Sequence, residues 1–221
     1  MQARVLLWSL LLAALPQVVS AQETIWGSTA YEALHIKCTV PAVGVRPKIN
    51  KEIKTFLNHY RAEFIQERLR KIVVCGALSR WDHSFYRGTY DLADRAIFVE
   101  VGDGKLNDTE YILHHELSSI VWHTKADIFF KHSWTRHSNF RYEVDSNISS
   151  DWTPRPKYQR NGALFRYCKT TPENDFNVVA AFLIADYLRP HVEKAEKRYS
   201  RIRAKAELVR KIYAGILKDP I

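Results

Sequence analysis

Cysteine is scarce in this sequence. The 221 residues include three cysteines, Cys38, Cys75 and Cys168, and none stands in a CxxC pair. The lack of that spacing argues against a cysteine-based metal site, and no motif supports a catalytic thiol. In an oxidising compartment, three thiols allow one disulfide and one free cysteine, but the sequence does not select the pair.

Long apolar runs, internal repeats and low-complexity tracts are absent after residue 21. No later segment reaches the roughly 20 apolar residues of a transmembrane helix, so we expect no membrane span in the mature chain. The net charge is +9, but no nucleic-acid-binding motif accompanies it, and we expect no nucleic-acid partner. No Gly-x-Ser-x-Gly motif supports a serine hydrolase.

Residues 1–21 have the layout of a secretory signal peptide. Arg4 precedes an apolar run that is too short to span a bilayer, and Val19-Ser20-Ala21 fits a small-residue cleavage site. We therefore expect a secreted or periplasmic protein in which residues 22–221 form a single domain.

Much of the positive charge lies between Lys194 and Lys211, in a segment with helical periodicity. The simplest interpretation is a solvated helix face. The other interpretation is attraction to an anionic surface, which predicts a basic surface-binding protein as an alternative function.

Apolar periodicity predicts both helices and strands in this chain. Helices are predicted over residues 47–70, 109–123, 173–188 and 191–217, and strands over residues 34–40, 72–78 and 95–101. Two loops are predicted. One covers residues 79–94, with a turn at 87–90, and the other covers residues 124–161. The long aromatic loop at 124–161 either lines a substrate cleft or covers the core. The predicted fold class is α+β, with a small sheet packed on helices.

The segment Thr109 to His123 carries the main chemical motif. Its apolar residues have the spacing of a helix, and Asp108 is placed to cap it. His115 and Glu116 form the first half of an HExxH motif, in which two histidines one turn apart bind zinc and the glutamate is the general base. Ser119 stands where the second histidine is expected, and a serine hydroxyl is a poor zinc ligand.

This segment and its surroundings resemble the zincin fold of bacterial zinc-binding metallopeptidases that take their third ligand from a glutamate. Residues 88–122 resemble the family's turn, edge-like strand and His-Glu helix, in that order. Residues 162–181 resemble the segment that bears the third ligand, through Tyr167, Thr170, Thr171, Pro172 and the pair Asp175-Phe176. The resemblance implies a zincin-like fold with the His-Glu helix at its centre and C-terminal helices covering it.

The resemblance also implies a secreted zinc-dependent metallopeptidase, with a peptide or protein as its substrate. His115 and Glu173 would bind the zinc ion, and Glu116 would be the catalytic base that takes a proton from the zinc-bound water. In the family, the third-ligand glutamate often precedes the Asp-Phe pair directly. That position is Asn174 here, so either Asn174 or Glu173 occupies it.

The remaining zinc ligand is not identified by the sequence. His132 and His137 are candidates because they lie on the segment after the helix. His114 lies about 100° around the helix from His115, and His123 lies roughly 12 Å further along it, so neither is expected to share an ion with His115. If no ligand replaces Ser119, the alternative function is a catalytically inactive zincin-like binding protein of the cell envelope.

Overall fold

The computed structural model of the protein describes residues 22–27, 35–80, 87–101, 108–143 and 154–221. The predicted signal peptide lies outside the described residues, and so does part of the predicted aromatic loop, residues 144–153. The described residues have the α+β fold class that the sequence predicts.

The described chain runs through two strands, two α-helices, four strands and then six α-helices. The strands are β1 (Glu23–Trp26), β2 (Ile36–Cys38), β3 (Lys71–Cys75), β4 (Leu78–Arg80), β5 (Gly88–Asp91) and β6 (Ala96–Glu100). The helices are α1 (Arg46–Asn58), α2 (Ala62–Arg68), α3 (Thr109–Thr124), α4 (Ile128–Arg136), α5 (Pro156–Arg160), α6 (Pro172–Ile184), α7 (Arg189–Arg198) and α8 (Ser200–Tyr213).

Four strands form the main sheet, in the order β1-β3-β6-β5. β1, β3 and β6 are parallel, whereas β5 lies at the edge and runs antiparallel to β6. Because side chains alternate along a strand, the central strands β3 and β6 contribute to two cores. One face packs on the helices through Ile72, Val74, Ile97 and Val99. The other packs under the antiparallel pair β2–β4 through Val73, Cys75, Ala96 and Phe98.

Helix α3 is the central helix of the described fold. Its residues from Tyr111 to Trp122 are all buried, because the helix packs against β5 and β6 on one side and against α1 and α6 on others. The C-terminal helices α7 and α8 pack in turn against α6. No helix of the described residues is both long enough and apolar enough to cross a membrane.

Two of the predictions of a single helix are wrong, because the structure has two helices in each of these segments. The helix predicted over residues 47–70 is divided into α1 and α2, because the backbone at the break bonds to a distant segment: Lys218 N–H donates to the His59 carbonyl, and Arg61 N–H donates to the Ile216 carbonyl. The helix predicted over residues 191–217 is divided into α7 and α8 by Tyr199, which has an extended backbone with φ −129° and ψ 108°.

Two of the predicted loops contain regular structure. Residues 88–91, which lie in the predicted 79–94 loop and overlap its predicted turn at 87–90, form the edge strand β5, which is defined by its pairing with β6. Residues 128–136 form α4, where the Asp127 side chain caps the helix by accepting a hydrogen bond from Phe130 N–H at 2.7 Å. Asp108 precedes α3 as predicted, but its side chain makes no cap and instead pairs with Arg87 at 3.3 Å.

The sequence left the disulfide pairing open, and the structure resolves it. Cys38 and Cys75 form a disulfide with a Cα–Cα distance of 5.0 Å, which joins β2 to the end of β3. Cys168 is a free, buried thiol. Burial raises its pKa to about 12, so the thiol is protonated and unreactive at neutral pH.

A buried ion pair joins α6 to α8. Asp175 and Lys205 are both fully buried and bond to each other. Asp175 also accepts hydrogen bonds from Trp134 Nε1 at 3.1 Å and from the Tyr142 hydroxyl at 2.9 Å. The prediction of a solvated face between Lys194 and Lys211 is therefore wrong at Lys205, although Lys194 and Lys211 themselves are exposed.

We expect Lys205→Met to destabilise the protein by about 3–5 kcal/mol, because it leaves the Asp175 carboxylate buried without its cation. Urea unfolding measures the effect. Lys205→Met combined with Asp175→Asn should recover much of the loss, since both charges are then removed. Lys211→Met on the same helix is the exposed control and should change stability by less than about 0.5 kcal/mol. Equal stability of the Lys205 and Lys211 variants would contradict the prediction.

Candidate functional site

The predicted site residues lie where α3 passes between β5 and the N-terminal turns of α6. The Thr171 side chain caps α6 by accepting a hydrogen bond from Asn174 N–H at 3.0 Å, and Pro172 occupies the first turn. This cap fixes the start of α6, so Glu173, Asn174 and Asn177 are presented near α3. The site is therefore built by two helices and one edge strand.

His115 is buried and has protein partners at this site. The Tyr111 hydroxyl is 3.2 Å from its Nδ1 atom, and the Tyr167 ring lies 6.0 Å away. Burial lowers the pKa of His115 to about 4, although a hydrogen bond with Asn174 partly opposes that effect. The imidazole is therefore neutral at pH 7, with Asn174 beside it.

Glu116 lies in a buried position against the edge strand. A Cβ atom added to Gly88 would come within 2.8 Å of Glu116 Oε1, so the absence of a side chain at Gly88 makes room for the carboxyl group. Burial raises the pKa of Glu116 to about 8, and the negative charge of Glu173 adds to the shift. A glutamate that holds a proton near neutral pH has the protonation behaviour of a general acid or base.

Ser119 is bonded to α6 at the position where the motif calls for a second histidine. Asn177 Nδ2 donates to Ser119 Oγ at 2.6 Å, and both side chains are buried. Ser119 lies one turn after His115, and its short hydrogen bond with Asn177 joins α3 to α6 at that position.

Glu173 contacts Tyr90 and His123 through its two carboxylate oxygens. Its Oε1 atom accepts a hydrogen bond from the Tyr90 hydroxyl at 3.1 Å, and its Oε2 atom lies 3.0 Å from His123 Nε2. Tyr90 and His123 also contact each other, with ring centroids 5.7 Å apart. Both oxygens of the predicted third ligand are thus occupied by protein groups.

The residues of this site do not fit a zinc ion. Zinc sites in proteins use three or four nitrogen, sulfur or carboxylate ligands around one point. Within the described ranges, His115, Glu116 and Glu173 do not bring three such atoms within 4.8 Å of one another, and the one group that does is His59, Glu110 and His114. The metal role of His115 and Glu173 and the catalytic role of Glu116 stay predictions.

Three residues of this arrangement, Tyr90, His123 and Asn177, are not predicted by the sequence. Asn177 carries no metal-binding signal, so the predicted helix over residues 173–188 gives no reason to single it out. Tyr90 lies in the predicted turn, and His123 is too far along the helix to share an ion with His115. Of the candidates for a further ligand, His132 is exposed on α4 and His137 follows the end of that helix. Neither belongs to a three-ligand group with His115 in the described structure.

Comparison with known protein families finds no match for the chain, and comparison with curated proteins finds none. Among solved structures, the chain is similar to one from Bacteroides caccae, described as a "putative zinc-binding metallo-peptidase". The two are 16% identical and superpose with a TM-score of 0.48, over 76% of this chain and 68% of the other.

We expect Ser119 and Asn177 to be energetically coupled, because removal of either leaves a buried polar group unpaired. Ser119→Ala, Asn177→Ala and the double variant form a thermodynamic cycle that urea unfolding can measure. Each single change should cost about 1–3 kcal/mol, with a coupling of about 1 kcal/mol. Strict additivity of the two single effects would show that the bond does not stabilise the fold.

Glu116 should make the metal-free protein less stable as pH rises. The folded state holds the Glu116 proton up to about pH 8, whereas the unfolded chain releases it near 4.5. Stability should therefore fall between these two values, by at most about 1.4 kcal/mol per pH unit. Glu116→Gln removes this dependence, and thermal unfolding in EDTA at pH 5 and pH 8 tests it. If Glu116→Gln and wild type lose the same stability between the two pH values, the expected burial cost is absent.

Proposed function

We propose that this protein is a secreted, metallopeptidase-like binding protein, and that it holds an extended peptide beside the His115–Glu116 helix without hydrolysing it through zinc. The observation that carries the proposal is the Asn177–Ser119 hydrogen bond at 2.6 Å. At the position of the second metal ligand, it engages a serine hydroxyl, which is a poor zinc ligand, in a bond within the protein. The resemblance to zinc peptidases in sequence then reflects the shared scaffold, and the zinc chemistry is replaced by hydrogen bonds.

The peptide-binding part of the proposal rests on the edge strand β5. Glu100 N–H donates to the Arg87 carbonyl at 2.8 Å, so the Arg87–Glu100 pair is hydrogen-bonded. Bonded and non-bonded pairs alternate in an antiparallel ladder. With Gly88 opposite Val99 and Tyr90 opposite Ile97, the backbone groups of Gly88 and Tyr90 therefore point away from β6.

An extended peptide can pair with these outward backbone groups as an added strand, which is a common mode of peptide recognition. No described strand pairs with that side of β5. Such a peptide would pass close to Glu116, because Gly88 lies directly over its carboxyl group. The Tyr90 side chain, anchored on Glu173, would border the same edge.

Secretion is proposed from the leader-like residues 1–21 and is supported by the Cys38–Cys75 disulfide. Structural disulfides are typical of secreted and periplasmic proteins, because the cytosol keeps thiols reduced. The free thiol Cys168 is buried, so it does not compete for pairing in the folded protein.

The test is to incubate the protein with a random-sequence peptide library and Zn²⁺, and to analyse retained and free peptides by mass spectrometry. We expect retained peptides without new cleavage products. Tyr90→Pro removes one outward N–H of β5 while leaving the bonds to β6, and it should reduce retention at least about tenfold. Tyr90→Phe keeps that N–H and is the matched control.

Two results would overturn the proposal. Cleavage products that disappear in Glu116→Gln would establish a peptidase with Glu116 as its base, which is the other function that the sequence suggests. If no peptide of the library is retained, the protein lacks the proposed binding function.

A further inference from the structure

A second cluster of potential metal ligands lies on the other side of α3, independently of the proposed peptide site. It consists of His59 at the end of α1 and of Glu110 and His114 on α3. Glu110 and His114 are four residues apart, so they lie one above the other on the helix surface that faces α1. One ligand atom from each residue lies within 4.8 Å of the other two.

His114 presents an unsatisfied nitrogen to this cluster. The side chain is fully buried, and its Nδ1 atom lies 2.7 Å from the Tyr60 hydroxyl. Its Nε2 atom is also buried and has no hydrogen-bond partner in the described structure. Leaving such a group unpaired costs about 1–3 kcal/mol, so we expect this buried nitrogen to have a binding partner.

The distances in the cluster are those of ligands around an ion. Glu110 Oε1 lies 3.7 Å from His114 Nε2 and 3.6 Å from His59 Nε2. Both distances exceed an N–H···O hydrogen bond. Two ligands bound at about 2.0–2.1 Å in tetrahedral geometry are themselves roughly 3.3–3.5 Å apart. A shift of a few tenths of an ångström would therefore bring Glu110 Oε1 and either imidazole nitrogen to the separation of two ligands on one ion, and the ligand atoms of the two histidines lie within 4.8 Å of each other.

Neighbouring residues orient the His114 ring and leave the cluster accessible to an ion. A metal on His114 Nε2 requires the proton on Nδ1, and the Tyr60 oxygen is placed to accept it, as a second-shell group does in metal sites. On the outer side, His59 lines a cavity of about 440 Å³ together with Thr55, Asn58, Asp186, Arg189 and residues of the 217–221 segment. The side chains of His59 and Glu110 are partly exposed, at 19% and 16%, so an ion can reach the cluster from solvent.

We propose that His59, Glu110 and His114 bind a divalent transition metal, best matched by Zn²⁺, at the α1–α3 interface. Two imidazoles and one carboxylate with an open fourth position form a ligand set typical of zinc. The ion would link α3 to the end of α1 and satisfy the buried His114 nitrogen. The site differs from the predicted one by a single step along the helix, from His115 to His114, but lies on a different face.

The experiment measures Zn²⁺ binding to the purified full chain by competition with a chromophoric chelator, with elemental analysis after desalting. Wild type should bind one Zn²⁺ per chain. Glu110→Gln and His59→Asn should each weaken binding at least about a hundredfold, because they remove ligands at partly exposed positions that the fold tolerates. Glu173→Gln and His123→Asn make the same chemical changes at the other site and should leave the affinity unchanged.

Loss of Zn²⁺ in Glu173→Gln with retention in Glu110→Gln would place the ion at the sequence-predicted site and overturn the inference. Retention in both Glu110→Gln and His59→Asn, or no binding by wild type, would also overturn it. Circular dichroism of every variant separates lost binding from lost folding. Co²⁺ supplies a second readout: its visible absorption in wild type should be intense, as for tetrahedral coordination, and absent in Glu110→Gln.

These results are separable from those of the peptide experiment. Zn²⁺ held by Glu110 is compatible with peptide retention or with its absence. Peptide cleavage that depends on Glu116 would overturn the proposed function while leaving the His59–Glu110–His114 site in place.

Discussion

The bond between Asp175 and Lys205 is the interaction on which the arrangement of the helices depends. Asp175 receives hydrogen bonds from Trp134 of α4, from the partly buried Tyr142 and from Lys205 of α8. Because a buried carboxylate is costly without its partners, these bonds constrain the rotation of α6 about its axis. That rotation directs Asn174 towards His115 and Asn177 towards Ser119. The core ion pair thereby determines which side chains reach α3.

Helix α3 is buried on nearly all sides, and this is why it carries two different polar clusters. A helix with one solvated face can place its polar residues in water, whereas each polar residue of α3 needs a protein partner. His115 and Ser119 lie against α6 and Glu116 lies against β5, whereas His114 and Glu110 face His59 and Tyr60 just after α1. Adjacent residues in the sequence thus belong to separate environments, because each step turns about 100° around the axis.

The sequence predicted the features that depend on local pattern. The β-branched run of β3, the apolar spacing of α3 and the Pro172 start of α6 are all visible as short-range signals, and they are sufficient for the α+β class. The features it missed depend on partners far along the chain. Strand β5 exists through its ladder with β6, and Lys205 looks like its exposed neighbours until Asp175 is known to face it. His114 likewise gains its significance from Tyr60 and His59, which are more than 50 residues earlier.

The contacts between the α1–α2 break and the 216–218 segment bear on the order of events in folding. Arg61 bonds to the carbonyl of Leu217 across 156 residues, next to the short bridge between Tyr60 and Leu217. Contacts of such large separation close late, since the intervening chain must be ordered first. The geometry around His59 and Tyr60 therefore cannot be completed while residues near 217 are still in the ribosome.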